Sequence, residues 1–226
     1  MRHAGTGRDP VAASAPVIVE RNGIRVAFVA VTDIWNLGSL RTHKAAAYVA
    51  GADESLLAAS VRALRTEHKA DLVVVSYHGG VEYIDLPLPR ARRILHAAID
   101  AGADLVLGHH PHVFQGIEWR GGRPILYGLG NLLMRMSQTE KKPTGYLARI
   151  TVGRDRAPVV EACPLAIRGI TPRRIADELE PRDRANQEQH FARHLAAISS
   201  GFGGIDVGEP GPDGCMSVRA ANEPAK

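Results

Sequence analysis

Three histidines follow one short apolar segment of the chain. Residues 104–108 read Asp-Leu-Val-Leu-Gly and lead directly into His109, His110, Pro111 and His112. Three of the ten histidines therefore lie at the end of one predicted buried strand. Imidazole is the commonest protein ligand for divalent metals, so this cluster is a candidate metal site. The alternative is a histidine-rich solvated loop, and the segment alone does not decide between the two.

The proline at position 111 adds a geometric expectation. A residue that precedes proline is pushed towards extended backbone. Side chains two residues apart in an extended segment share a face. We therefore expect His110 and His112 to point together, and His109 to point elsewhere.

The residues before the cluster predict an α/β arrangement. Predicted strands and helices alternate at residues 24–31, 54–65, 71–76, 87–101 and 104–107. Such alternation gives parallel strands joined by right-handed crossovers. In open parallel sheets, sites lie beyond the carboxyl ends of the strands. Asp33, His78 and the 109–112 segment follow three such ends, which favours a site over scattered surface histidines.

The residues after the cluster predict antiparallel strands and one long helix. A hairpin at 117–127 runs into a glycine turn that contains Asn131. Asn131 either only stabilises the turn or places its side chain over the histidine pocket. Further strands are predicted at 146–152 and 159–167, and a polar helix from Pro181 to about Ser199. His190 and His194 could share a face of that helix, but with no third ligand nearby we expect solvated side chains.

Composition restricts the class of protein. The 226 residues, 45% hydrophobic and 23% charged, are typical of one globular domain. The net charge is +4, with few aromatic residues among the arginines, so no nucleic-acid partner is expected. Cys163 and Cys215 suggest neither a metal site nor a disulfide framework. No membrane-spanning segment or signal peptide is recognisable, so the sequence as written predicts a cytoplasmic location.

The candidate side chains favour metal chemistry. His78, His110 and His112 offer nitrogen donors, a set that suits zinc or a mid-row divalent metal. Asp33 and Glu82 offer oxygen donors, but a two-metal site normally needs bridging carboxylates, and few are available. The sequence has no glycine-rich phosphate loop and no Gly-x-Ser-x-Gly motif. Catalysis is therefore either metal-based or absent.

Three blocks of the sequence, residues 78–83, 101–112 and 125–131, resemble the signature segments of the CapA family. These bacterial proteins are associated with capsule and poly-γ-glutamate synthesis, and have a calcineurin-like metallophosphoesterase fold. The blocks occur in family order, and the resemblance covers most of residues 3 to about 205. It implies a partial α/β metallophosphatase-like sandwich: a three-stranded parallel βαβαβ unit followed by antiparallel strands and a C-terminal helix.

The resemblance implies that His78, His110 and His112 are metal ligands. The cofactor would be a weakly bound divalent ion of manganese, iron or zinc. The expected supporting residues are Asp33, Glu82, His109 and Asn131. No catalytic residue is assigned. The implied substrate is a phosphorylated or polyanionic small molecule or polymer, and the implied partners are other capsule-synthesis proteins.

One departure from the family pattern affects the functional expectation. Family members carry an earlier half-domain with a Gly-Asp strand end, an Asn-Leu-Glu block and an Asn-Asn-His block, which this sequence lacks. We therefore expect residues 1–205 to form a domain without its N-terminal half, and residues 206–226 a disordered tail. The chain is then a fragment of a metallophosphoesterase, a non-catalytic binding or assembly component, or a half-site enzyme completed by a partner. With an N-terminal half, the protein would be membrane-anchored or exported.

Overall fold

The structure is a computed structural model that describes residues 2–35, 44–133, 145–153 and 156–221. The strands are β1 (Val17–Arg21), β2 (Ile24–Thr32), β3 (Leu72–His78), β4 (Leu105–His109), β5 (Ile117–Arg120), β6 (Arg123–Leu126), β7 (Gly145–Gly153), β8 (Arg156–Arg168), β9 (Thr171–Arg174), β10 (Ile205–Pro210) and β11 (Met216–Ala220). The α-helices are α1 (Pro10–Ser14), α2 (Glu54–Thr66), α3 (Pro89–Asp100), α4 (Ile175–Glu178) and α5 (Pro181–Ser199), with 3-10 turns at Lys44–Tyr48 and Ser200–Phe202.

The first sheet has the strand order β1-β2-β3-β4-β6-β5. Strands β2, β3 and β4 are parallel, β6 is parallel to β4, and the edge strands β1 and β5 are antiparallel to their neighbours. Helices α2 and α3 connect the three parallel strands. The predicted βαβαβ unit is therefore confirmed.

Local sequence signals explain the connections of this sheet. Asn22 and Gly23 have φ values of 52° and 74°, as a two-residue hairpin between β1 and β2 requires. The Asp53 carboxylate accepts a hydrogen bond from the backbone N–H of Leu56 at 3.0 Å, which caps α2. One apolar stripe of α3 is buried against the sheet: Ala91, Ile94, Leu95, Ala98 and Ile99. The local pattern thus determines which face each helix buries.

A second sheet covers the other face of the first. Its order is β10-β11-β8-β7, with β9 paired to β8. Alternation along β3 places Val73 and Val75 in the core under α2 and α3, and Val74 in the core shared with the second sheet. Phe191 and Leu195 of α5 are fully buried in that second core. The result is a mixed α/β sandwich, compatible with the predicted metallophosphatase-like fold.

The prediction of a disordered tail from residue 206 was wrong. Residues 205–220 form the hairpin of β10 and β11, and β11 pairs with β8. The physical reason is the alternation of apolar side chains on β11, where Met216 is 0% and Val218 1% exposed. The Gly-, Pro- and Asp-rich composition belongs to the turn between the two strands. Residues 222–226 lie outside the described ranges.

The expectation about the cysteines was also wrong. Cys163 and Cys215 form a disulfide across 52 residues of sequence. Cys163 lies on β8 and Cys215 directly precedes β11, and the antiparallel register pairs Met216 with Ala162. The strand register therefore brings together two cysteines that are distant in sequence.

Three short elements were not predicted. Pro10–Ser14 form helix α1, whose N-cap is Asp9. Strand β9 and helix α4 lie between β8 and α5. In the parts of the chain that the structure describes, no helix has the length and apolar character needed to span a membrane.

Candidate metal centre

The carboxyl ends of β2, β3 and β4 bring the candidate residues to one edge of the first sheet. The parallel register pairs Thr32 with His78, and His78 with His109. At Gly108 the backbone of β4 passes so close to Tyr127 that any Cβ would overlap the Tyr127 carbonyl group. Only glycine therefore fits immediately before the histidine segment.

The three predicted ligand histidines lie together. The ring centroids of His78 and His110 are 4.9 Å apart, with the rings edge to face. Those of His110 and His112 are 6.0 Å apart. Residues from two strand ends, more than thirty positions apart in sequence, thus form one histidine cluster.

The backbone of the cluster is not extended, so the geometric premise based on Pro111 was wrong. His110 has a φ of 101° and His112 a φ of 60°. Tyr83, whose N–H donates to the carbonyl of Pro111 at 2.7 Å, also has a positive φ of 61°. Non-glycine residues in this region are strained and persist where the surroundings hold them, most often at functional sites. The strain is concentrated where the histidines meet.

Asn131 determines which nitrogen of His112 is available. Its Oδ1 atom lies 2.8 Å from Nδ1 of His112, while its Nδ2 atom donates to the His112 carbonyl at 3.0 Å. Because an amide oxygen only accepts, Nδ1 of His112 must carry the proton. The Nε2 atom of the neutral ring then keeps its lone pair, as a metal ligand must.

Thr32 holds His78 in a comparable way. Its Oγ1 atom lies 3.0 Å from Nδ1 of His78, and 3.1 Å from each of the carbonyl oxygens of Ile34 and His78. The hydroxyl has one proton and can donate it to either carbonyl. When the Thr32 hydroxyl donates its hydrogen bond to one of these carbonyl oxygens, its Oγ1 atom accepts a hydrogen bond from Nδ1–H of His78. The Nε2 atom of His78 then keeps its lone pair.

The electrostatics of the cluster favour neutral imidazoles. The side chain of His78 reaches solvent, but desolvation by its surroundings lowers its pKa, and His110, His109 and His112 lower it further. Burial also lowers the pKa of His110, partly opposed by the carboxylate of Glu82 and reinforced by His112. Burial alone lowers the pKa of His109. Neutral imidazole is the form that binds a metal.

The supporting residues divide into two groups. Asn131 bonds to His112, and Glu82 is close enough to act on the charge of His110. Asp33 does not join the histidines: Arg90 binds its carboxylate through two hydrogen bonds of 2.9 and 3.1 Å. His109 stands beside His78 in the sheet register, and its supporting role stays a prediction.

Two residues that contact the histidine cluster were not identified from the sequence. Thr32 is the register partner of His78, but alignment of the predicted strand ends at residues 31 and 76 would have placed Asp33 opposite His78. Tyr83 stacks on His112, with 6.1 Å between ring centroids and 30° between the planes. No sequence signal predicts that stacking, because it depends on the path of the 79–88 loop.

The side-chain types at this site suit a divalent metal, but the donor atoms do not converge on one point. Three imidazoles with a nearby carboxylate are the ligand types of zinc and mid-row metals. Across the described ranges, no three His, Cys, Asp or Glu side chains form a group already able to hold an ion. Metal binding here would therefore require the rings to move towards a common point.

Comparison with known proteins identifies the family. The family model described as "Bacterial capsule synthesis protein PGA_cap" matches residues 1–136, more than half of the chain. "Capsule biosynthesis protein CapA" of Bacillus anthracis is 32% identical over 160 residues, covering 70% of this chain and 39% of that protein. "PGA biosynthesis protein CapA" of Bacillus subtilis (strain 168) is 32% identical over 151 residues, covering 67% and 39%.

A shorter match is to a "Probable polyglutamine synthesis accessory protein" of Mycobacterium tuberculosis, 35% identical over 74 residues that cover 33% of this chain and 20% of that protein. The chain spans about two-fifths of the length of the two CapA proteins it matches. The PGA_cap match includes β2 to β6 and every residue of the histidine cluster. The resemblance seen in the sequence is therefore confirmed, and the chain belongs to the CapA family of bacterial capsule synthesis proteins.

Proposed function

We propose that this chain takes part in the synthesis of a bacterial capsule polymer of glutamate. The proposal includes a divalent metal site of phosphoesterase type at His78, His110 and His112. The names of the relatives support the first part, since they refer to capsule, PGA and polyglutamine synthesis. The second part depends on the histidine cluster.

One observation carries the metal site: hydrogen bonds to Nδ1 orient two of the three histidines. Asn131 holds Nδ1 of His112 and Thr32 holds Nδ1 of His78, so the two Nε2 atoms remain for a metal. Metal-binding histidines almost always have such a partner on the other ring nitrogen. A solvated histidine loop has no need of these partners, which is why we favour the metal site.

The chemistry proposed for the site follows from its ligands and its access to solvent. When bound, a divalent metal polarises a phosphoryl oxygen and lowers the pKa of a water molecule. The chain's own contribution is to lower the pKa of His78 and His110 and to orient the rings of His78 and His112. A phosphorylated or polyanionic substrate matches that metal charge.

A specific observation favours a second candidate, a non-catalytic binding or assembly component. The site needs carboxylates for two-metal chemistry, but Arg90 occupies the carboxylate of Asp33. A single metal on three histidines could then bind an anionic polymer without cleaving it. Other capsule-synthesis proteins are the proposed partners in either case.

Metal analysis and a hydrolysis assay on the same proteins test both candidates. His110→Ala is expected to lose one equivalent of bound manganese or zinc relative to the wild-type chain. The control, His68→Ala, alters an exposed histidine after α2 and should lose none. If His110→Ala and the wild type bind equal amounts of metal, the proposed site is wrong.

The hydrolysis assay separates the two candidates. Cleavage of a chromogenic phosphodiester in the presence of manganese, abolished by His110→Ala, would support the enzyme. Metal binding without cleavage would support the binding component. Cleavage that survives His110→Ala would rule out this site as its origin.

The disulfide bears on the compartment, and we propose the exported or membrane-anchored location. Disulfides form and persist in oxidising compartments and are rare in the cytosol. The test is to alkylate free thiols in intact cells and then reduce and label the remainder. Labelling of Cys163 and Cys215 only after reduction supports export, whereas free thiols in the cell would contradict it.

A further inference from the structure

Helix α5 carries a second pair of histidines, away from the candidate metal centre. His190 and His194 are one helical turn apart, with ring centroids separated by 6.2 Å and planes within 1° of parallel. Side chains at positions i and i+4 lie on the same helix face. Two imidazoles at this spacing are the histidine arrangement of helical zinc sites. The pair therefore supplies two of the ligands that such a site needs.

The structure supplies the third ligand that the sequence did not reveal. The Oδ2 atom of Asp85 lies 3.8 Å from Nε2 of His194. Asp85 belongs to the 79–88 loop, which connects β3 to α3 and is remote from α5 in sequence. The loop is anchored next to Asp85, because Gln115 donates through Nε2 to the carbonyl of Ile84 at 2.7 Å. The carboxylate is thus held near the helix by a separate contact.

His194 is oriented and all three side chains are accessible. The ring of His194 packs edge to face on Phe114, with 5.2 Å between centroids. The side chains of His194 and Asp85 are 35% and 49% exposed, and His190 is exposed. An ion can therefore reach the three donors from solvent.

We propose that His190, His194 and Asp85 form a second metal site, for a transition-metal dication such as zinc, that fastens the 79–88 loop to α5. Two imidazoles and one carboxylate are a zinc-type ligand set, with the fourth position left for water. The donors do not yet converge among the described residues. We expect rotation of the two exposed side chains, His190 and Asp85, to bring the donors together around the packed ring of His194.

The site would also act on the first histidine cluster through the loop. The same loop carries Tyr83, which stacks on His112, two residues before Asp85. An ion held by Asp85 would restrict the backbone that positions Tyr83. The second site is nevertheless independent of the first in its ligands, so either can exist without the other.

The test titrates zinc alone into the full chain carrying His78→Ala, His110→Ala and His112→Ala. One equivalent is expected to bind. Adding His190→Ala should weaken binding at least about tenfold, since even changes outside the ligand sphere cost that much. Asp85→Asn should also weaken it. Arg193→Ala, an exposed change on the same helix, should leave the affinity unchanged.

Amide hydrogen exchange gives a second readout. Zinc should slow exchange in residues 79–88 of the chain with Asp85, and should not do so after Asp85→Asn. If the triple variant does not fold, the wild-type chain provides the same comparison, because His190→Ala should remove one equivalent of zinc and Arg193→Ala none.

Two outcomes would overturn the inference. Zinc binding that is equal in His190→Ala and Arg193→Ala would exclude the helical pair. Zinc binding without slower exchange in the loop would exclude its fastening. Neither result would affect the first cluster, whose test depends on His110 and uses different variants.

Discussion

The hydroxyl oxygen of Thr32 lies 3.0 Å from Nδ1 of His78, where β2 and β3 end side by side. A partner on Nδ1 fixes the ring and leaves Nε2 for a metal. Thr32→Val keeps the side-chain shape and removes the hydroxyl. We expect it to weaken metal binding at the candidate centre by about 10- to 100-fold, measured by manganese or zinc titration.

The matched control is Thr66→Val. The Thr66 hydroxyl donates to the carbonyl of Arg62 on the surface of α2, at 3.1 Å, and has no part in the centre. Its metal affinity should equal that of the wild type. Equal affinities in Thr32→Val and the wild type would remove Thr32 from the proposed centre.

The contact between His112 and Asn131 predicts a single tautomer. Because Oδ1 of Asn131 accepts from His112, the neutral ring should carry its proton on Nδ1. Nitrogen-15 NMR of the metal-free chain at alkaline pH can distinguish the two tautomers. Asn131→Ala should remove the preference and weaken metal binding. Protonation of Nε2 in the wild type would contradict the assigned geometry.

The close approach of β4 to Tyr127 predicts a large loss of stability for Gly108→Ala. The new methyl group would meet backbone atoms of Tyr127, which cannot rotate away. We expect the free energy of unfolding to fall by about 3 kcal/mol or more, measured by urea denaturation. Gly201→Ala, where nothing lies within 4 Å of the added methyl group, should have a small effect. Equal losses in both variants would contradict the clash.

Removal of the disulfide should destabilise the second sheet. The bond closes a loop of 52 residues, for which the chain-entropy relation gives about 4 kcal/mol. Cys163→Ala with Cys215→Ala should lose free energy of unfolding of that order. The wild type in reductant should lose a similar amount. A double variant as stable as the oxidised wild type would show that the hairpin holds without the bond.

The ion pairs of Arg149 should make the free energy of unfolding depend on pH. Its guanidinium bonds to Glu161 at 2.6 Å and to Asp213 at 2.5 Å, joining β7, β8 and the turn after β10. These hydrogen bonds lower the pKa of both carboxyls below their usual values of 4.5 and 3.8. The stabilisation is therefore present above those values and is lost as pH falls through the lowered pKa values.

The variant Arg149→Gln tests this dependence. It should be less stable than the wild type at pH 7, and the difference should shrink as pH falls through the lowered pKa values of Glu161 and Asp213. Arg219→Gln, an exposed change on β11, should show no such pH dependence. Thermal unfolding across the acid range measures both. A difference that is constant with pH would contradict the ion pairs.

Local signals were sufficient for the first sheet. Alternation of apolar strands and helices predicted the parallel unit, and the turn at Asn22-Gly23 and the cap at Asp53 follow from local residue types. Each of these features involves residues close together in sequence. The grouping of His78 with His110 and His112 followed from the rule that parallel strand ends meet at one edge.

Contacts that depend on register could not be predicted in the same way. Asp33 follows a strand end, as predicted, but one position separates it from Thr32, the partner of His78. Neighbouring side chains point to opposite faces, so its carboxylate lies beside Tyr77, 3.4 Å from the hydroxyl, and binds Arg90. A single step along the strand thus removed a predicted oxygen donor from the centre.

The tail shows the same limit. Its composition favoured disorder, and its two strands are stable because β11 adds to β8. The Asp85 contact with His194 likewise joins a loop and a helix more than a hundred positions apart. Sequence patterns describe each partner separately, and the distances between them depend on the assembled sheets.

The bond between Cys163 and Cys215 also determines how the chain responds to a pull on its two ends. Helix α5 and strand β10 lie inside the closed loop, so tension passes through the bond and bypasses them. The bypassed segment, between cysteines 52 positions apart, keeps roughly 180 Å of contour length from extending, at about 3.5 Å per residue. Stretching the oxidised chain would leave this segment, with His190 and His194, under no load, whereas a reduced chain would lengthen by that additional amount.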